Sequence, residues 1–270
     1  MSPKKRDLPE FNRPPVVEVV LGVQFMPLGL SLNHYGLFFG RVRQDYPKFV
    51  VQPPLPSVIE GFGVPKQATV GVELAEAPEI RAWYIDASET RLIQVQKDRF
   101  LFNWRKVRGD EIYPRYHGIE PVFEEEWKRF GTFLSAEQLG IPEVNQCEVT
   151  YVNHIEMDHG WKGYGELGKV LASWSGDTSD EFLPEPERVM MKAQYVMGER
   201  RGRLRITVKP AIRRRDGKEI LIIELTARGK PNSSQLDDIV EWFELGHQWI
   251  VKGFTSFTGK QMHQIWERTL

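Results

Sequence analysis

Sulfur chemistry is nearly absent from this sequence of 270 residues: Cys147 is its single cysteine. That excludes an internal disulfide and any multi-cysteine zinc site, and it suits a reducing compartment. An excess of charge is missing too. Lys and Arg number 36 against 37 Asp and Glu, so bulk electrostatics draw in neither nucleic acid nor a membrane surface. No apolar run approaches the roughly 18 residues of a membrane span, and residues 1–13 lack the apolar core of a secretion signal. Together these absences predict a cytoplasmic protein. The patterns GxxxxGKS/T, GxSxG and HExxH are absent as well, so no catalytic residue and no cofactor is nominated.

What is present is strand signal, strongest between Arg91 and His117. Ile93 and Val95 alternate with Gln94 and Gln96; beyond Lys97 and Asp98, Phe100, Phe102 and Trp104 alternate with Leu101, Asn103 and Arg105. Alternation on both sides of a short turn reads as a β-hairpin with one face in the core. Upstream, residues 1–13 are charged and contain proline, which predicts a loose arm. Val17, Val19, Leu21, Val23 and Phe25 then mark a strand with Glu18, Gly22 and Gln24 on its other face. Ser31 is placed to cap a helix running to about Tyr46, with Tyr35, Phe38, Phe39, Val42 and Tyr46 as its buried stripe. The proline-rich stretch 50–57 is expected to lie extended, as a surface connector or as a polyproline ligand. Short strands at 69–75 and 79–85 precede the hairpin. A helix from Glu120 to about Gln138 follows it, with Phe123, Trp127, Phe130 and Leu134 on one face.

The second half runs in similar order. A long strand at 146–157 precedes a modest helix at 164–173, an acidic loop and three strands near 190–198, 202–212 and 219–229. The longest helix, 235–257, aligns Ile239, Phe243, Gly246, Ile250 and Phe257, and a short helix ends near Arg268. Residues 14–142 and 143–270 thus each read β-α-β(3-4)-α, though no residue-level repeat is visible between them. The expected fold class is α+β: one compact pseudo-duplicated unit, an antiparallel sheet with long helices on one face. That helix-grip order resembles TBP-like and START-like domains.

Three stretches also resemble a sporadically distributed family of uncharacterised bacterial proteins: PPVVEVVLGVQFMPL at 14–28, QVQKDRFLFNWRK with YPRY at 113–116, and FTSFTGKQMHQIWER at 254–268. The resemblance spans nearly the whole chain. The family has no established activity; its patchy occurrence implies mobile genes and a role in bacterial conflict or antiphage defence.

Two regions are candidate sites. Gln94, Gln96, Asn103 and Arg105 can orient an uncharged or anionic ligand. Trp104, Tyr113, Arg115 and Tyr116 add stacking and charge, and Asn153 joins them from the second half. The same residues suit a buried polar network, so contact with a ligand or partner and a structural role both stay open. The other region is basic: Arg203, Arg205, Lys209, Arg213, Arg214 and Arg215 offer phosphate contacts but no interleaved aromatics, so nucleic-acid binding would be weak and salt-sensitive. A solvated outer sheet face is the alternative there. His154, Glu156, Asp158 and His159 read as a solvated strand end rather than a metal site, and Cys147 as a buried, inert thiol. Gly246 marks either a packed crossing of helix and sheet or a pocket for a small apolar ligand. The leading expectation is a non-enzymatic binding or sensor protein acting with a protein partner; nucleic-acid binding comes second and a cryptic hydrolase third.

Overall fold

In the computed structural model, which describes residues 8–62, 79–176 and 182–270, apolar alternation has built one large sheet. The described elements are β1 (Val16–Phe25), α1 (Leu32–Val42), β2 (Lys48–Gln52), β3 (Arg81–Ile85), β4 (Arg91–Gln96), β5 (Arg99–Arg105) and α2 (Tyr116–Ala136). Then come β6 (Val144–Glu156), α3 (Leu167–Val170), β7 (Met191–Val196), β8 (Arg203–Ile212), β9 (Glu219–Gly229), α4 (Leu236–Phe257) and α5 (Lys260–Ile265). Among the described residues, nine strands pair antiparallel in the order β2-β3-β4-β5-β1-β6-β9-β8-β7. The fold is mixed α and β and dominated by this sheet.

Register decides what each face carries. Val19, Leu21 and Val23 of β1 lie opposite Trp104, Phe102 and Phe100 of β5 and opposite Tyr151, Val149 and Cys147 of β6. All nine side chains are buried in one core, with Phe38 of α1, Phe123, Phe130 and Phe133 of α2, and Phe243 and Ile250 of α4. Each such side chain, once removed from water, stabilises the fold by roughly 1.5–3 kcal/mol. The opposite, outer face carries Gln94 and Gln96 of β4, Asn103 and Arg105 of β5, Glu18 and Gln24 of β1, and Arg203 and Arg205 of β8 by the same alternation.

The strand order reads outward alike from the central β1–β6 pair: β5, β4 and β3 on one side, β9, β8 and β7 on the other. One residue-level echo accompanies it. Glu18 lies opposite Arg105 across β1 and β5, and Glu148 opposite Arg228 across β6 and β9.

Several expectations shift. The described part of the N-terminal arm is not loose, because Phe11 is an anchor: it packs on Phe254, His263 and Trp266, and the Asn12 and Arg13 amides donate to the Glu267 and Trp266 carbonyls. Residues 50–52, the start of the stretch expected to be connector, belong instead to β2, which pairs with β3 as an exposed edge strand. The strand expected at 69–75 lies outside the described residues. The helix at 164–173 shrinks to a 3-10 turn, Tyr164–Glu166, and the four residues of α3, because Leu171 turns away to bridge Thr258. Gly246 sits against the sheet with no room beneath: an added methyl would lie 3.0 Å from Val149 and 3.2 Å from Trp242.

Candidate functional site

Four outer-face side chains fall in one transverse row. Gln96 lies opposite Arg99, Arg99 opposite Gln24, and Gln24 opposite Gln146, so the row crosses β4, β5, β1 and β6. Over it runs the irregular segment 53–62, a strap perpendicular to the strands. Gln96 grips Leu55 at both backbone groups, its Oε1 accepting the amide at 2.8 Å and its Nε2 donating to the carbonyl at 2.9 Å. Gln24 Oε1 accepts the Val58 amide at 3.1 Å, and Gln146 Oε1 accepts the Glu60 amide at 3.3 Å. Arg99 Nη2 donates to the Pro56 carbonyl at 2.9 Å and to Gln24 Oε1 at 2.7 Å. A chain rich in proline offers few amides to a sheet edge, so side-chain amides from three strands replace backbone pairing.

The strap ends on the basic strand. Glu60, its carboxylate only 2% exposed, accepts from both Arg203 and Arg205; the Arg203 Nη1 and Arg205 Nη2 contacts are each 3.0 Å. Arg203 also donates to the Gly61 carbonyl at 2.7 Å and lies over the Phe62 ring. Burial, with the nearby Arg228 guanidinium, lowers the pKa of Arg205, a cost the Glu60 carboxylate offsets.

Beside the strap lies a second polar chain. Trp83 Nε1 and Arg81 Nη1 donate to Gln94 Oε1 at 2.9 and 3.0 Å, Gln94 Nε2 to Asn103 Oδ1 at 2.7 Å, and Asn103 Nδ2 to Glu18 Oε1 at 2.6 Å. Burial pushes the Glu18 carboxyl above its ordinary range, while the Asn103 donor and the Arg105 charge pull the other way. Arg105 itself donates to the Glu89 carbonyl.

The nominated residues therefore divide between the faces. Gln94, Gln96, Asn103 and Arg105 share the outer face. Trp104, Tyr113, Tyr116 and Asn153 do not: odd and even positions of β5 and β6 face opposite ways, and these four point toward the helices. Trp104 packs on Tyr113, whose hydroxyl donates to that of Tyr151 at 3.2 Å, and Asn153 Nδ2 donates to the Ile223 carbonyl. Tyr116 stacks on His247 at 4.1 Å, and His247 Nδ1 meets the Tyr151 hydroxyl at 2.9 Å. Burial, with the nearby His117, holds His247 neutral, its pKa lowered to about 3. Arg115 sits over the Tyr113 ring in a left-handed backbone conformation, φ 65°.

The basic set is no open phosphate footprint, because acids of this chain already occupy most of it. Beyond Arg203 and Arg205, Arg213 is held by Asp216 and Glu156, and Arg215 donates to the Arg108 carbonyl; Lys209 and Arg214 remain exposed. The same Glu156 contact fills the strand end around His154 and His159. His154 lies low, at about 4, through burial and the charges of Arg213 and Arg215. Cys147 is fully buried, with its thiol pushed well up.

Sequence reasoning missed Gln24, Gln146, Arg99, Glu60 and His247. A glutamine on a strand's polar face is a faint signal; Glu60 had none. One glycine spacing was also passed over: Gly163, Gly165 and Gly168 spell GxGxxG. They lie in the 3-10 turn and α3, after an antiparallel strand, where methyl groups added to Gly165 and Gly168 would meet Glu185 and the Trp174 carbonyl. That is close packing, not the strand-turn-helix cradle of a dinucleotide. Among the described residues no helix is long and apolar enough to cross a membrane. No protein-family model matches the chain, and no curated protein matches it.

Proposed function

We propose that the protein is a non-enzymatic binding or sensor protein whose outer sheet face holds an extended polypeptide segment of a protein partner. The row of Gln96, Gln24 and Gln146 gripping backbone groups of the strap is the observation that carries this reading. It displays what the face recognises: an extended chain poor in free amides, ending in a carboxylate for Arg203 and Arg205. In this view the strap is the segment that fills the face in cis, and the partner engages beside it or in its place. Amides and guanidiniums orient a ligand without exchanging protons with it, and the His247 imidazole and the Cys147 thiol are buried on the other side of the sheet. On this reading the sheet with helices on one face is a helix-grip variant of TBP-like or START-like type, and the partner belongs to bacterial conflict or antiphage defence. The resemblance of residues 14–28, 94–106, 113–116 and 254–268 to a sporadically distributed bacterial family supports it.

Hydrogen–deuterium exchange on the complex with a co-purified partner tests the reading. Partner binding is expected to protect 91–105 and 144–156 and to raise exchange within 53–62 if the strap is displaced. Protection confined to the helical side, or no co-purifying protein, would overturn it.

A further inference from the structure

The first half of the chain fills a place that the described residues of the second half leave open. Counted outward from the β1–β6 pair, β3 corresponds to β7, β4 to β8, and α2 to α4. In the first half α1 lies over β3 beside α2. Its Tyr35, Phe38 and Val42 are buried; Phe38 meets Tyr84 of β3 at 5.1 Å and Phe130 and Phe133 of α2 at 5.4 and 5.1 Å. The Tyr84 hydroxyl donates to the Tyr35 carbonyl at 2.9 Å. At the corresponding point of the second half, among the described residues, stands the short α3, which packs chiefly on α5.

An apolar groove of about 510 Å³ lies where that helix would be. Tyr195 of β7 with Leu204 and Ile206 of β8 form its floor, and Leu245, Trp249 and Gly253 of α4 form its wall. The contrast between the halves shows in two tyrosines: Tyr84 under α1 is fully buried, whereas Tyr195 is 45% exposed.

We propose that this groove receives an amphipathic helix of a partner protein. Its apolar anchors recur at i, i+3, i+4 and i+7, the spacing with which α1 presents Tyr35, Phe38, Phe39 and Val42 to its own slot. A sheet floor with one parallel helical wall accepts a second helix at ordinary packing distance. Lys252, exposed on the rim, selects an acidic residue flanking the apolar stripe. The groove is on the helix side of the sheet, so this site stands or falls independently of the outer face.

A fluorescein-labelled peptide of residues 31–46, which carries the α1 stripe, serves as the probe for titration with the full chain. A saturable rise in anisotropy is expected, at least tenfold weaker with Trp249→Glu and with Ser256→Arg, and absent for a peptide bearing Phe38→Asp and Val42→Asp. Ser256 is exposed, so Ser256→Arg should keep the wild-type melting temperature and separates lost binding from any destabilisation by Trp249→Glu, whose half-buried ring packs against the core. Four results overturn the proposal: no saturable binding, binding indifferent to both groove variants, a small apolar molecule retained there in native mass spectrometry, or a dimer in sedimentation that covers the groove.

Discussion

Replacing Asn103 with Ala probes the polar network at its middle. Asn103, only 3% exposed, accepts one hydrogen bond from Gln94 at 2.7 Å and donates another to the Glu18 carboxylate at 2.6 Å. The neutral bond contributes about 0.5–1.5 kcal/mol and the bond to a charged group about 1.5–3, so truncation should cost roughly 2–4 kcal/mol. At about 2–4 °C per kcal/mol for a chain of this size, the melting temperature should drop by roughly 4–16 °C. The cost should also depend on pH. Glu18 binds its proton more tightly folded than unfolded, so its contribution to stability is complete below the unfolded value of 4.5 and is lost as pH rises through the folded value. Asn103 limits that loss by donating to the carboxylate. Without it the folded pKa climbs further, and the destabilisation should be larger at pH 7.5 than at pH 4. Urea unfolding followed by circular dichroism at both pH values reads the difference. A cost below about 1 kcal/mol at neutral pH, or one that is constant or shrinks as pH rises, would refute the charge-assisted network.

Gly246→Leu should cost roughly 1–3 kcal/mol in urea unfolding, since the added side chain meets Val149 and Trp242; a tolerated leucine would contradict the packing. The unmodified protein should not retard duplex or single-stranded oligonucleotides in gels even at about 50 mM salt, where phosphate contacts are strongest. A shift there would show that Glu60, Glu156 and Asp216 do not occupy the basic strands as described. His247, held neutral, contributes stability that is present above the unfolded value of 6.5 and lost as pH falls toward about 3. The melting temperature of His247→Gln, which keeps a polar partner for Tyr151, should therefore fall less steeply over that window than that of wild type, and parallel curves would count against a neutral, buried imidazole.

The sequence by itself determined which way side chains face. Alternation along 91–105 separates Gln94, Gln96, Asn103 and Arg105 from Phe100, Phe102 and Trp104, because strand side chains switch faces at every residue whatever the strand pairs with. The stripe Phe123, Phe130 and Leu134 and the stripe Ile239, Phe243 and Ile250 are local in the same way, and both helices lie where that spacing places them. Tertiary structure alone decided what those faces meet. Gln96, Gln24 and Gln146 form a row only through the register of four strands, and Gln24 and Gln146 lie 122 positions apart in the chain. Glu60 reaches Arg203 and Arg205 across more than 140 residues, and His247 meets Tyr151 across 96. Such contacts depend on how the strands are ordered and shifted against one another, which no periodicity within a segment records. The slot over β7 and β8 is of the same kind: α1 is legible as a helix, but only the sheet order shows that the described residues of the second half hold no counterpart to it.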